Sequence, residues 1–255
     1  MPKIIENKLI EEFKDRDSFS REELFKFFRE YEPDLKESTF GWRIYDLKNK
    51  NIIKTLKRGL YSVADKPGFK PVFSAELLKI TKKIQENFKE VKYCIWETDW
   101  INEFSQHQSG KRMLLIEIEK DFVGSLYYYL KDNFNFDFYL NPDNKVINYY
   151  ISESKFPVVI KKLITRSPLG KKAENKLKIS TPLLEKILVD LFTEEKLFYF
   201  YQGSELVKIF ESAVTRYSIN FTKLFSYAAR REREQDIKSF LLENMSYLLN
   251  DVIDV

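Results

Sequence analysis

Cysteine, histidine and glycine are scarce in this sequence of 255 residues, and each scarcity excludes a class of chemistry. The single cysteine, Cys94, leaves no partner for a disulfide within the chain. A zinc site of cysteine and histidine needs about four ligands, and a Ser-His-Asp triad has only His107 to use. No two of the seven glycines are spaced for a dinucleotide-binding or Walker loop. We therefore expect no cofactor, which leaves metal chemistry by carboxylates alone or a binding function.

Long apolar runs are also missing, and the stretch 197–201 is among the longest. A membrane-spanning helix needs about 20 apolar residues, so we expect no contact with a membrane. The first residues reach the acidic Glu6 early and contain no small-residue cleavage site, which is not the pattern of a signal peptide. These features predict a cytoplasmic protein.

The positive charge is concentrated in two places, although the formal net charge of the chain is only +4. Residues 41–70 contain eight basic and two acidic residues, a net of +6. Residues 154–178 contain eight basic residues and one acidic residue, Glu174, a net of +7. Local basic stretches in a nearly balanced chain favour contact with a polyanion, although lysines on any surface also produce such runs.

The first 63 residues contain the signals of three helices. Ile5, Leu9 and Phe13 recur at every fourth position, which predicts one buried face of a first helix. Ser20 and Glu23 form a capping box, in which hydroxyl and carboxylate each accept from an otherwise unpaired backbone N–H at the start of a second helix. A third helix is predicted from about Ser38.

Two short β-prone runs follow, at 52–56 and 60–63, around a turn that contains Gly59. This pattern predicts a hairpin. Three helices followed by a hairpin predict a winged helix-turn-helix over residues 1–63. Residues 64–73 contain two prolines and a glycine, which predicts a linker.

Residues 74–255 predict a mixed α/β domain with a helical C-terminal part, so the expected fold class is α+β. Strands are predicted at 93–96, 113–119 and 156–164, and a hairpin is predicted from 136–140 and 146–151. Everything after the last of these strands is predicted to be helical, with Thr181-Pro182 at the start of one helix and Asn220 at the start of another.

The third helix is the candidate recognition element. If Phe40 faces the core, then at about 100° per residue Ser38, Trp42 and Tyr45 point away from it, and Gly41 leaves the exposed backbone bare. A recognition helix presents its first turns to the major groove. The residues predicted to contact the groove are Ser38, Thr39, Trp42 and Arg43. The residues predicted to contact the DNA backbone, with the hairpin tip reaching a neighbouring stretch, are Lys48, Lys54, Lys57 and Arg58. The alternative is a winged helix that binds protein through Trp42.

The best enzyme candidate is the charged end of the strand at 113–119. Nucleases of one large class place a carboxylate and a lysine two residues apart on a strand, so that both face the metal. Here Glu117 and Glu119 share a face while Lys120 points to the other, because strand side chains alternate. We therefore predict that the chain is not an enzyme. The alternative is a metal-dependent nuclease with a winged-helix substrate-binding domain, using Glu117 with Glu97 and Asp99 upstream.

Three stretches resemble AbiEi-type antitoxins of type IV toxin–antitoxin systems. The first runs from Lys36-Glu37-Ser38-Thr39 through Arg43 to Gly59-Leu60-Tyr61 and resembles the winged helix of that family. Residues 180–191, with Glu185-Lys186 and Asp190, resemble its Ser-Pro-Glu-Lys-Ala-Leu-Leu-Asp-Leu helix, and residues 220–231 resemble its late helix.

This resemblance implies a two-part, non-enzymatic protein. The winged helix would bind double-stranded operator DNA and repress its own operon. The C-terminal domain would counter a nucleotidyltransferase toxin. We expect that domain to add charge toward DNA or an acidic partner through Lys161, Lys162, Arg166, Lys171 and Lys172.

Overall fold

The structure, a computed structural model, describes residues 3–64, 66–106 and 112–249. With 52% helix and 18% strand in several small sheets, the fold is mixed α+β, as the sequence predicts. His107, which the sequence offers as the one histidine, lies outside the described residues.

The N-terminal part contains three helices and a small antiparallel sheet in which β3 lies between β1 and β2. The elements are α1 (Lys3–Phe13), β1 (Phe19–Ser20), α2 (Arg21–Tyr31), α3 (Glu37–Asn49), β2 (Ile53–Lys57) and β3 (Leu60–Val63). The three predicted helices and the predicted hairpin are all present. Gly59 has a φ of 81°, a conformation that costs glycine little and allows the tight turn at the hairpin tip.

Local hydrogen bonds and one apolar cluster hold this part together. Glu23 N–H donates to Ser20 Oγ at 3.1 Å, and Ser20 N–H donates to Glu23 Oε2 at 2.7 Å, so the capping box is present. The predicted faces of α1 and α3 meet in a cluster that includes Leu9, Phe28 and Phe40, each fully buried. This cluster is separate from the core formed by later residues.

The stretch predicted as a linker contains no helix or strand among its described residues, 64 and 66–73. It nevertheless contacts the larger part of the chain. Trp100 Nε1–H donates to the carbonyl of Val72 at 2.8 Å, and the ring of Phe69 packs against Phe104 with centroids 5.5 Å apart.

The larger part is built on a four-stranded sheet with the order β4-β5-β7-β6. Its elements are α4 (Ala75–Asn87), β4 (Tyr93–Glu97), β5 (Leu114–Ile118), α5 (Val123–Asn133), β6 (Asp137–Leu140), α6 (Asn144–Val146) and β7 (Pro157–Lys162). β4 is antiparallel to β5, whereas β5, β7 and β6 are parallel. The carboxyl ends of these three strands therefore meet at one edge of the sheet.

The hairpin predicted from 136–140 and 146–151 is wrong. β6 pairs with β7 in parallel, and residues 144–151 form α6 and a π-helical turn. Asp143 caps this helical segment by accepting from the N–H of Val146 at 2.8 Å. Ile147 and Ile151, one turn apart, are buried together, and this packing overrides the β-propensity of the adjacent tyrosines.

The helix predicted to begin at Thr181-Pro182 begins later. Residues 169–182 form a hairpin of β8 (Leu169–Glu174) and β9 (Leu177–Pro182), and α7 runs from Leu184 to Thr193. No residue of β8 is buried, and β9 buries only Ile179, Thr181 and Pro182, so the hairpin has little of the apolar periodicity that marks a strand in a sequence.

The β8–β9 hairpin contradicts the prediction that everything after the strand at 156–164 is helical, but the chain beyond it is helical as predicted. Its helices are α7 (Leu184–Thr193), α8 (Ser204–Arg216), α9 (Phe221–Arg230) and α10 (Glu234–Leu249). Asn220 caps α9 by accepting from the N–H of Lys223 at 3.1 Å, as expected. Residues 184–192 of α7 are all buried, so this helix lies at the centre of the larger core.

Candidate nucleic-acid interface

The predicted groove contacts lie on the exposed side of α3. Ser38 and Thr39 are exposed in its first turn, and Trp42 exposes 72% of its surface. The indole packs edge-on against Tyr45, with ring centroids 5.8 Å apart, and Tyr45 is 57% exposed. This side of α3 therefore presents hydroxyls and aromatic rings rather than a row of cations.

Arg43, the remaining predicted groove contact, is half-buried at the margin of that side. Its Nη2–H donates to Oε2 and Oε1 of Glu32, at 3.1 and 3.2 Å. The guanidinium is thus fixed against α2 rather than extended into solvent. A direct contact of Arg43 with a base requires this ion pair to open.

The acidic residues on α3 are neutralised by neighbouring cations. Glu37 pairs with Arg21 of α2, and Asp46 accepts a hydrogen bond from Lys50 Nζ at 2.8 Å. The Lys50 ammonium holds the pKa of Asp46 below its usual value. α3 therefore does not present uncompensated negative charge to a polyanion.

A groove of about 630 Å³ lies between the tip of the β2–β3 hairpin and helices α9 and α10; we call it the tip groove. Its cationic residues are Lys57, Arg58, Arg166, Arg230 and Lys238. Glu234, an acidic residue of the same lining, pairs with Lys238 at 2.6 Å. Among the described residues, Arg58, Arg166 and Arg230 have no ion-pair or hydrogen-bond partner for their side chains.

The hairpin tip is fastened to the larger part of the chain at this groove. The backbone N–H of Arg58 donates to Oγ1 of Thr222, in the first turn of α9, at 2.8 Å. The tip therefore does not project into solvent as an isolated loop. Instead it places Lys57 and Arg58 beside Arg166 and Arg230, which come from distant segments.

Arg21 connects the tip with the start of α3. Its backbone N–H donates to the carbonyl of Gly59 at 2.8 Å, and its side chain pairs with Glu37. The exposed hydroxyls of Ser38 and Thr39 and the tip groove are therefore neighbouring parts of one surface.

Two of the lysines predicted to contact the DNA backbone are less accessible to it. Lys48 is exposed, but its ammonium lies 5.2 Å from the ring centroid of Tyr61, and partial burial lowers its pKa. Lys54 is half-buried, and its ammonium nitrogen is covered by protein. Its contact with a DNA backbone requires this nitrogen to become exposed first.

The second basic stretch divides between two environments. Lys161 is partly buried and pairs with Glu194. Lys162 and Arg166 are exposed near the tip groove, while Lys171 and Lys172 lie on β8.

A buried charged cluster lies behind this surface and was missed by the sequence analysis. Lys186 on α7 donates to Oε1 of Glu117 on β5 at 2.6 Å and also pairs with Asp190, and all three side chains are essentially inaccessible. Burial alone lowers the pKa of Lys186, but the carboxylates of Asp190 and Glu117 raise it well above its usual value. The available signal was the Lys–Asp pair one turn apart on a helix whose other residues, apart from Glu185 and Thr193, are apolar.

The cluster extends to α9 and its end. The hydroxyl of Tyr227 donates to Oδ1 of Asp190 at 2.8 Å, and Arg231 donates to Asp190 at 3.0 Å and to Glu194 at 2.9 Å. The segments 180–191 and 220–231 therefore meet here through their polar side chains.

Of the carboxylates considered for a nuclease, Glu97 and Asp99 share Arg112 as an ion-pair partner, but Glu117 is not brought to them. Glu117 lies opposite Cys94 in the β4–β5 pairing and Glu97 lies opposite Leu114, so they are three residues, about 10 Å, apart along the strands. Glu97 instead pairs with Arg112 at 2.8 Å. Within the described ranges, no three histidine, cysteine or acidic residues are grouped to hold a metal ion.

Cys94 is fully buried in β4 and belongs to the core of the larger part. Burial raises the pKa of its thiol well above the usual value, because a thiolate loses its hydration there.

Comparison with known proteins provides a family but no function. A family described as "Family of unknown function (DUF6577)" matches residues 39–247, most of the chain. No curated protein matches the chain. No helix in the part of the chain that the structure describes is both long enough and apolar enough to cross a membrane.

Proposed function

The chain belongs to the DUF6577 family, and from the surface described above we propose that it is a cytoplasmic DNA-binding transcriptional regulator. In this proposal residues 1–63 are a winged helix-turn-helix that binds operator DNA, through which the protein represses its own operon. The order α1-β1-α2-α3-β2-β3, with β3 between its neighbours, supports this interpretation, in which α3 is the recognition helix.

The observation that carries the proposal is the tip groove. Arg58, Arg166 and Arg230 converge there, and none of their side chains has an ion-pair or hydrogen-bond partner within the described ranges. A guanidinium donates two parallel hydrogen bonds to a phosphate and stays charged at any physiological pH. Neutralising phosphates releases counterions from DNA, which is the main source of sequence-independent affinity.

The start of α3 complements this groove. The hydroxyls of Ser38 and Thr39 lie at the positive end of a 13-residue helix, where a phosphate is favoured. Trp42 offers an apolar surface of the kind that contacts thymine methyl groups in the major groove.

We further propose that the C-terminal part acts as an antitoxin against a nucleotidyltransferase toxin. The support is the resemblance at 180–191 and 220–231 and the joining of these segments by Asp190, Tyr227 and Arg231. Coexpression with a nucleotidyltransferase encoded in the neighbouring reading frame tests this part. Growth should be restored by the full chain, and continued growth arrest contradicts the antitoxin role.

Fluorescence anisotropy with a labelled duplex of the chain's own upstream region tests DNA binding. The expected result is binding at low salt that weakens steeply as salt rises, with tighter binding to that region than to a scrambled duplex of equal length. The same incubation with Mg²⁺ or Mn²⁺ should leave the DNA intact. Cleavage that is lost in Glu117→Ala would support the nuclease alternative instead.

A protein-only adaptor is the second candidate, and the exposed pair Trp42 and Tyr45 favours it. Large exposed aromatic side chains are enriched at protein interfaces. This candidate predicts no DNA binding even at low salt. It also predicts that Trp42→Ala abolishes capture of the partner while the fold is retained.

A further inference from the structure

A second crevice lies at the carboxyl ends of the parallel strands, next to the tip groove. It has a volume of about 360 Å³ and is lined by the end of β5, the end of β7 and Asn141, which follows β6. Open α/β sheets bind ligands outside the carboxyl ends of their strands. We call this site the strand-end crevice.

A network of ion pairs fixes the walls of the strand-end crevice. Lys161 and Arg231 both pair with Glu194. Arg231 also pairs with Asp190, and Asp190 pairs with Lys186, which holds Glu117. Each of these groups is fully or largely buried, so the crevice is positioned before any ligand arrives.

Glu117 lines the crevice with one carboxylate oxygen unsatisfied. Its Oε1 accepts from Lys186, whereas its Oε2 is buried and has no hydrogen-bond partner in the described part of the chain. A buried acceptor without a partner costs free energy. A ligand that donates an N–H to Oε2 would recover this cost, and it reaches the oxygen only when the side chains that cover it shift.

Two cations line the same crevice with their charges available. Lys162 and Arg230 are exposed, and within the described ranges neither side chain has an ion-pair partner. The exposed carboxylate of Glu232 also lines the crevice, so an anionic group is favoured only where Lys162 and Arg230 outweigh it. The interior acceptor and the outer cations together require a ligand that carries both a hydrogen-bond donor and a negative charge.

Size and charge exclude simpler ligands. An inorganic anion alone would leave Glu117 unsatisfied and would be repelled by it. A metal ion would be repelled by the ammonium of Lys186, 2.6 Å from Oε1 of Glu117. A second cavity of about 500 Å³ shares Asn141, Lys161 and Glu194 with this one, so the available space extends to that of a typical small-molecule site.

We propose that the strand-end crevice binds a free mononucleotide whose base carries an amino group, with the phosphate on Lys162 and Arg230 and the amino group donating to Glu117. The two sites share Arg230, but Arg58 and Arg166 line only the tip groove while Lys162 and Glu117 line only the crevice, so variants of these four residues test the two proposals separately. A mononucleotide bound here lies beside α9, to which the hairpin tip is fastened.

Isothermal titration of the full chain with AMP, GMP and CMP tests the site, with ribose 5-phosphate and adenosine as the two half-ligands. At least one mononucleotide should bind more tightly than ribose 5-phosphate and adenosine. Lys162→Ala should weaken that binding about tenfold, since it removes one charge-assisted hydrogen bond. Lys82→Ala, an exposed lysine of α4, should not change it.

The Glu117→Gln variant tests the contact with the amino group separately from the contact with the phosphate. The amide replaces the free acceptor, so the variant should lose its preference for the mononucleotide over ribose 5-phosphate. A thermal melt of the variant establishes that it is folded, and the Lys162→Ala result stands on its own if it is not. Mononucleotide binding should persist in the Arg58→Ala/Arg166→Ala variant.

Three results would overturn the proposal. One is the absence of binding by all three mononucleotides at millimolar concentration. Another is binding that Lys162→Ala leaves unchanged. The third is binding that disappears with Arg58 and Arg166, which would assign the nucleotide to the tip groove.

Discussion

The ammonium of Lys186 lies 2.6 Å from Oε1 of Glu117, although the two residues are 69 positions apart and neither side chain reaches solvent. This ion pair joins the central helix α7 to the central sheet at β5. Removing one partner of a buried pair is costly because the remaining charge stays buried without compensation.

Lys186→Met should therefore destabilise the protein strongly. The expected loss is about 3–5 kcal/mol of the free energy of unfolding, because Glu117 loses its cation while Asp190 keeps only Arg231. Urea denaturation followed by circular dichroism measures it. Lys208→Met, which removes an exposed pair with Glu211, is the matched control and should cost less than about 0.5 kcal/mol. Equal losses in the two variants would show that the buried pair has no special role.

Low pH should lower the free energy of unfolding by protonating Glu194. Burial raises the pKa of this carboxyl, but Lys161 and Arg231 more than offset that effect and lower the pKa to about 2. The unfolded chain therefore binds the proton at higher pH than the folded chain, so the contribution of Glu194 is complete above about pH 4.5 and is lost as the pH falls toward about 2. Denaturation at several pH values should show a shallower decline for Glu194→Gln. Identical pH profiles for the two proteins would contradict this assignment.

The cations of the tip groove should appear in the salt dependence of DNA binding. Replacing Arg58 and Arg166 by alanine together should reduce the slope of log affinity against log salt by about two units, since each phosphate contact contributes roughly 0.9. Anisotropy at four or more salt concentrations measures the slope. Lys82→Ala should not alter it, and an unchanged slope in the double variant removes the groove from the DNA-binding surface.

A glycine in the turn between β8 and β9 should stabilise the chain. Asn175 and Lys176 have φ values of 48° and 67°, and such a two-residue turn favours Asn-Gly. Lys176→Gly should stabilise the chain by about 0.5–1 kcal/mol, because it removes the steric cost of the left-handed conformation. Lys178→Gly, within β9, should instead destabilise it. A loss of stability in both variants would mean that the turn is not strained.

Gly41 offers a test that separates folding from binding. A methyl group at this position of α3 meets no atom within 4 Å. Gly41→Ala should therefore stabilise the helix by up to about 1 kcal/mol. The same methyl group should weaken DNA binding if the bare backbone of α3 approaches the duplex. Anisotropy and denaturation on one preparation measure both effects, and a tighter complex would place DNA away from this turn.

The sequence by itself determined the features that depend on neighbours a few positions away. The capping box at Ser20 and Glu23, the apolar face of α3 and the glycine turn at Gly59 all form as predicted. Each depends on hydrogen bonds or side-chain spacing within one or two turns of chain, so the residues that decide the structure are adjacent in the sequence.

Only the tertiary structure decided the features whose partners are distant. Residues 146–151 have β-propensity but are helical, because Ile147 and Ile151 pack into a core that other segments supply. The tip groove depends on the bond between Arg58 and Thr222, 164 positions apart. The pairing of Glu117 with Lys186 follows from the packing of α7 on the sheet. Burial strengthens the interaction between charges that are distant in the sequence. No local pattern in a single sequence indicates which charges will be buried together.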